Sequence, residues 1–286
     1  MLLKLSLFVS LVMFGTLGTS LAAATAIGVA KARGSFRIDD ATVYRNSTLF
    51  DGSAIETENI SSELWLASGA RLLLASGSRS TVYRDQMVLE RGAAQLKGPS
   101  NYAIEARTLR IVPAGSDSAA RVTLGKTSHI RVEALSGDVQ VRNAKGLLVA
   151  NLTSGTSLEL NPAVVALATK LTGQLQQRDG RFILTDVTTN VTVELQGTGL
   201  EEMVGRMVEV TGDAIPDATP VAGAEQVIRV SALTEIGAAP PVAGSIATGL
   251  STGAKVAIIG GVAAATSLGG MFATGLFEEE KRPVSP

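Results

Sequence analysis

Apolar residues come in short runs along the middle of the chain, and most runs alternate apolar with polar. In "HIRVEAL" Ile130, Val132 and Ala134 share one face, and Arg131 and Glu133 share the other. In "DVQVRN" Val139 and Val141 alternate with Gln140 and Arg142. "TVYRDQ", "MVLERG", "YAIEA", "LRIVPA", "ARVTLG" and "LLVANL" are runs of the same kind. Turn residues such as Gly69, Gly77, Gly92, Gly98-Pro99, Gly115, Gly125, Gly137, Gly146 and Gly155 part them at intervals of about 8 to 12 residues, the spacing of a sandwich, barrel or solenoid. "RLLLAS" (71–76) does not alternate, which fits a strand buried on both faces or a bent one. A second β unit spans 168–236. It reads strand, turn at Asp179-Gly180, strand, turn, strand, a short polar piece from Gly199 to Met203, then the strands "GRMVEVTG" and "QVIRVSAL". Five strands with a short link after the third predict a small OB-like barrel. Residues 237–254 form a Pro/Gly/Ala linker.

Both ends break this pattern. Lys4 precedes an apolar run from Leu5 to Leu17, and Ala22-Ala23-Ala24 and Ala24-Thr25-Ala26 follow as small-x-small sites. Residues 1–26 therefore read as a signal peptide, with an uncleaved anchor as the rival. Residues 256–277 carry no charge. As a helix they span about 33 Å, a bilayer core, and predict one transmembrane helix before a tail at 278–286. Gly261, Ala265, Gly269 and Ala273 recur at i, i+4, so such a helix has a small-residue face where self-association is the sharper reading and incidental glycine the plainer one. Lys281 and Arg282 favour a cytoplasmic tail, while Lys255 opposes it.

"LFDGSAIETENISSELWLASGARLLLASGSRSTVYRDQMVLERGAAQL" resembles the FecR domain through Asp51, Gly52, Thr57, Leu64, Leu66, Gly69, Leu72, Leu74, Val82, Leu89 and Gly92. "LSGDVQVRNAKGLLVANLTSGTSLEL" is similar to the tail of that domain, so the resemblance covers about residues 34–160. It implies a β-solenoid module in the bacterial periplasm. In that reading each run is one edge of a rung, and each glycine permits the turn that a Cβ would obstruct. Sensors of the family carry a cytoplasmic anti-sigma segment. Only Met1 to Leu3 precede Lys4, so neither that segment nor the family's signalling is expected.

Composition removes several chemistries. The 286 residues include no cysteine, so disulfides, thiol catalysis and cysteine-based metal sites are excluded. The single histidine, His129, lies on the strand edge of "SHIRVEAL" without a metal-ligating companion at ligand spacing, and it reads as a surface or packing residue. Asp39-Asp40 and Glu201-Glu202 read as solvated turns. No glycine-rich phosphate loop is present. No catalytic, cofactor or metal residues are therefore assigned, and the chain is not expected to be an enzyme. The sequons at Asn46, Asn59, Asn151 and Asn190 read as chance.

Charge separates the two units. Between 163 and 236 five basic residues face ten acidic ones, a balance that repels nucleic acid. From 31 to 161 sixteen basic residues face thirteen acidic ones. Arg71, Arg79, Arg84 and Arg91 recur around successive turns, with Trp65 and Tyr83 in the same stretch. Ordinary outward-facing charge is the plainer reading, with core packing for Trp65. The sharper one is a binding strip of Trp65, Arg71, Arg79, Tyr83, Arg84 and Arg91 for an envelope protein or an anionic polysaccharide. The whole predicts an exported, membrane-anchored, non-enzymatic binding or scaffolding module of the bacterial envelope. A carbohydrate-binding or adhesion protein is the alternative.

Overall fold

The structure is a computed structural model that describes residues 25–125, 129–161, 169–215, 217–236, 256–259 and 262–266. It is mainly β. The first strands are β1 (Ala26–Ile38), β2 (Ala41–Phe50), β3 (Ser53–Glu56), β4 (Ser62–Leu66), β5 (Arg71–Leu74), β6 (Arg79–Val82) and β7 (Gln86–Lys97). β1 pairs with β4 along 28–32 and with β3 at 37–38. β3 pairs with β6, β6 with the first half of β7, the second half of β7 with β5, and β5 with β4. These six strands close into a barrel, and β2 lies along β1. Alternation decides what goes inside. In β4, Ser62, Leu64 and Leu66 are buried while Glu63 and Trp65 are exposed. β5 is the strand without alternation, and Leu72, Leu73 and Leu74 are buried on both of its faces.

The tight connections need backbone that most residues avoid. β1 turns into β2 through Asp39 (φ 48°) and Asp40 (φ 65°), the positive pair of a two-residue hairpin turn. The Asp39 carboxylate accepts from the Ala54 N–H at 2.8 Å and so ties that turn to β3. The glycine that matters most is Gly92 (φ 82°), where β7 bends and exchanges one set of partners for another.

From that bend two arms of sheet leave. β8 (Ala103–Ala106) runs parallel to the first half of β7 and is followed outward by β9 (Leu109–Pro113). β10 (Ala119–Leu124) runs antiparallel to the second half, followed by β11 (Ile130–Ser136). β12 (Val139–Asn143) continues the first arm beyond β9, with β13 (Leu148–Leu152) beside it, and β14 (Ser157–Asn161) continues the second beyond β11. Ile104, Ile111, Val122, Val132, Val141 and Leu158 are among the residues buried in one continuous core.

Five further strands are β15 (Thr169–Arg178), β16 (Arg181–Thr185), β17 (Thr192–Gln196), β18 (Met207–Ala214) and β19 (Val227–Glu235), with a short 3-10 helix at Glu201–Met203. β15 pairs with β16, β16 with β17, β17 in parallel with β19, β19 with β18, and β18 with β15, so these pairings also form a ring. β20 (Val256–Ile259) and β21 (Val262–Thr266) pair with each other. β21 also adds to the edge of β14, and β20 meets β15 at Lys170.

Two expectations are corrected here. The short runs are not the parallel rungs of a solenoid. Among the described pairings only β7–β8 and β17–β19 are parallel, and the rest are antiparallel. The described part of 256–277 is a pair of strands rather than a transmembrane helix. Val256, Ile258, Ile259, Val262 and Thr266 are β-branched, and the two residues between the strands are Gly260 and Gly261, a sequence that suits a hairpin better than a helix. No helix among the described residues is long and apolar enough to cross a membrane.

Candidate functional site

The predicted strip is divided by the fold. Trp65 is not a core residue. β4 alternation turns it outward, and 45% of it is exposed. β1 and β5 flank β4, and each sends a cation to the indole. Lys31 Nζ lies 4.0 Å from the ring centroid and Arg71 Cζ lies 5.0 Å from it. Such contacts are attractive to the face of the ring and draw two cations to it. The indole N–H donates to Glu63 Oε2 at 3.3 Å. Lys97 on β7 stands directly opposite Arg71 in the ladder and is exposed.

Arg79 and Arg91 belong to a different group. Glu56, only 19% exposed at its side chain, takes an ion pair from Arg91, one from Arg37 at 3.8 Å and one from Arg79 at 3.9 Å. Arg79 also meets Glu90 at 3.0 Å. These arginines are thus neutralised across β1, β3, β6 and β7. Tyr83 and Arg84 sit at the β6–β7 turn, at the opposite end of β7 from Lys97. The Arg84 N–H donates to Asp51 Oδ1 at 2.8 Å, and the Tyr83 carbonyl accepts from the Tyr102 hydroxyl at 3.2 Å. Burial pushes the Tyr102 phenol well above its ordinary pKa, and the charges of Asp85 and Asp51 push it further. Of the six residues expected in one strip, only Trp65 and Arg71 share a site. Lys31 and Lys97 complete it. Neither stood out in the sequence, because each reaches the site through strand pairing and not through spacing.

His129 sits beside β11, where its Nδ1 lies 2.9 Å from Glu159 Oε1 on β14, so it belongs to a surface pair. Of the small residues expected on a helix face, Ala265 lies in β21, paired with Glu159. Gly261, Gly269 and Ala273 lie outside the described residues.

Two buried carboxylates organise the 169–235 ring, and nothing in the sequence marked them. Asp186, 1% exposed, accepts from the N–H groups of Thr172 (2.8 Å), Thr188 (3.1 Å) and Thr189 (2.8 Å) and from the Thr189 hydroxyl (2.9 Å). It forms the β16–β17 loop and fastens that loop to β15. A cleft of about 440 Å³ separates the loop from the β13–β14 turn, lined by Leu152, Thr153, Thr156, Val187 and Thr188. The Asp186 carboxylate is already fully occupied and is not available to a ligand there. Asp186→Ala is expected to destabilise this ring by about 3 kcal/mol, because three N–H groups lose their acceptor. Earlier exchange of the Thr172 and Thr189 amides with solvent deuterium would show it. Glu194, also 1% exposed, accepts from Arg181 Nη1 at 2.5 Å and from the Val221 N–H at 2.9 Å. Burial alone would raise its pKa. The Arg181, Val221 and Gln196 hydrogen bonds and the Arg181 charge outweigh burial and hold the carboxyl below the ordinary range.

Compared with protein-family models, with curated proteins and with solved structures, the chain matches none.

Proposed function

We propose that the chain is a non-enzymatic, exported binding or scaffolding module of the bacterial envelope, FecR-like over 34–160 and OB-like over 168–236. The observation that carries this reading is the outward group of Trp65, Lys31, Arg71 and Lys97, held on the wall of a closed barrel. An exposed aromatic among cations without carboxylate partners is a surface organised for contact. The FecR-like part draws further support from the roles of the matched residues. Asp51 holds the Arg84 N–H, and Thr57 Oγ1 donates to the Ala75 carbonyl at 2.6 Å and accepts from the Ser78 N–H at 3.0 Å. Gly52, Gly69 and Gly92 all have positive φ. The signal-like residues 1–26 support export.

The OB-like reading is supported by the ring order β15-β16-β17-β19-β18, with the third and fifth strands parallel and a short helix after the third. In OB folds the outer face of the second and third strands is where nucleic acid is held. Here Ile183 and Glu194 on that face are buried, and the Val221 N–H reaches Glu194 from the β18–β19 connection. The chain's own segment therefore covers it, which together with the acidic balance favours a partner other than nucleic acid.

A carbohydrate-binding role is the second reading, and the exposure of Trp65 favours it. Export is tested by protease accessibility of a C-terminal tag in intact cells and in spheroplasts, together with the N-terminus of the mature protein. The expected result is an envelope pool that begins near residue 27. A cytosolic pool that retains residues 1–26 would overturn the reading.

A further inference from the structure

We infer that the sheet face carrying Trp65 is a groove for one extended, acidic polysaccharide chain, with Lys31, Arg71 and Lys97 taking its carboxylates or sulfates. This rests on the envelope reading only for where such a polymer is met. Strand register sets the row. Val29 pairs with Trp65, Trp65 with Arg71, and Arg71 with Lys97, so these four side chains run straight across β1, β4, β5 and β7. Four strands at about 4.8 Å spacing extend the row to about 14 Å, longer than one small anion and suited to successive groups of a chain.

The next row on the same face is Lys31, Glu63, Leu73, Gln95 and Arg121. Leu73 is 5% exposed and Gln95 4%, although both point away from the barrel interior. They form one wall of a concavity of about 300 Å³ that Asn59, Ser61, Ala75, Ala93 and Arg121 also line, on the side of this row away from Trp65, Arg71 and Lys97. Small neutral side chains and a buried amide suit the body of a sugar. The Gln95 carbonyl, in the orientation that satisfies both groups, accepts from Arg121 Nη2 at 2.7 Å and Nε at 3.0 Å, and Arg121 also meets Glu133 at 3.1 Å. Arg121 is therefore neutralised and serves to hold that wall. Among the described residues Lys31, Arg71 and Lys97 meet no carboxylate; Glu63 is the acid within the two rows, and Glu133, next in register to Arg121, is paired with it, so the face beside the concavity is net positive.

The geometry chooses among ligands. Lys31 and Arg71 approach the indole from strands on either side of it, so a neutral sugar stacking there competes with two cations already in contact with the ring. A lipid surface is flat and does not reach a recessed wall, whereas a single chain does. Single-stranded nucleic acid needs a series of open aromatic faces, and this face has one ring, already in contact with two cations.

Trp65 is the only tryptophan in the chain, so its emission reports the site directly. The purified full chain would be titrated with polygalacturonate, dextran, inorganic phosphate, phosphatidylglycerol vesicles and oligo-dT. The expected result is a saturable change with polygalacturonate that weakens as salt is added, and no matching change with the other four. Arg71→Ala and Lys97→Ala should each weaken binding about tenfold, the loss of one charge-assisted hydrogen bond. Both residues are exposed, so neither change threatens folding. Arg79→Ala, which removes an arginine already paired with Glu56 and Glu90, should leave affinity unchanged. Equal binding of dextran, a response confined to phosphate, vesicles or oligo-dT, no response to polygalacturonate, or equal effects of the Arg71 and Arg79 variants would each overturn the inference. A null titration on a protein found in the envelope removes the groove alone. A cytosolic location removes the envelope reading whatever the titration shows.

Discussion

Gly92→Ala unfolds the first barrel at much lower urea than the parent, with the loss read from Trp65 emission. Two costs combine at this position. The backbone φ of 82° lies in the left-handed region, which costs an alanine about 1–2 kcal/mol. A Cβ there would also stand 2.3 Å from Ser78 Oγ and 2.7 Å from Ser78 Cα. Ser78 has no room to give way. It is fully buried, its N–H donates to Thr57 Oγ1 at 3.0 Å, and its hydroxyl both donates to the Ala93 carbonyl and accepts from the Ala93 N–H, each at 3.0 Å. Moving Ser78 breaks that set, moving β7 breaks the bend that divides its partners, and either adds about 2–3 kcal/mol. The sum of about 3–5 kcal/mol is a large share of a domain's stability. Gly69→Ala is the control. Its φ is 88°, but nothing lies within 4 Å of the added carbon, so only the backbone cost of about 1–2 kcal/mol applies. If Gly92→Ala costs no more than Gly69→Ala, the Ser78 corner does not hold the barrel as described.

That corner shows how much of the fold the sequence disclosed. The strands between glycines were legible, because period-two alternation and turn residues are local. Their partners were not. "MVLERG" reads as a run that ends at a turn at Gly92, yet the strand continues through Gly92 to Lys97 and touches β5, β6, β8 and β10. The orientation of Trp65 was present in "SELWL", where Leu64 and Leu66 set the inner face. The general habit of large aromatics to be buried pointed the other way. The arginine periodicity was also visible, but its meaning depended on Glu56, whose chain neighbours lie far from Arg79 and Arg91 in sequence. At the C-terminus an uncharged stretch satisfies the length rule for a helix, and the same β-branched residues around two glycines satisfy the rule for a hairpin.

Arg181→Ala reverses the acid response of the second ring. In the parent, the Glu194 carboxyl is held below its ordinary range, while the unfolded chain titrates near 4.3. A depressed folded pKa contributes stability that is present above about 4.3 and lost as pH falls through the folded value. The parent ring should therefore weaken on acidification below about pH 4. Arg181 supplies both a hydrogen bond and a charge to this carboxylate, from a side chain half exposed on β16. Removing it leaves burial, the largest single influence, opposed only by the Val221 and Gln196 hydrogen bonds, and burial favours the neutral acid. The folded pKa then rises above the unfolded one, so the variant is weakest at neutral pH and recovers stability as pH falls toward 4. At pH 7 the stranded carboxylate should cost about 2–4 kcal/mol. Glu194→Gln keeps an acceptor for the Val221 N–H and removes the titration, so it should flatten the pH dependence at a cost of about 1–2 kcal/mol. The ring contains no tryptophan, and amide exchange of β16 and β17 is the suitable readout. Trp65 emission should report an unchanged first barrel in the same samples. An Arg181 variant that weakens with acid in parallel with the parent would show that Glu194 is held by the Val221 segment and not by the guanidinium.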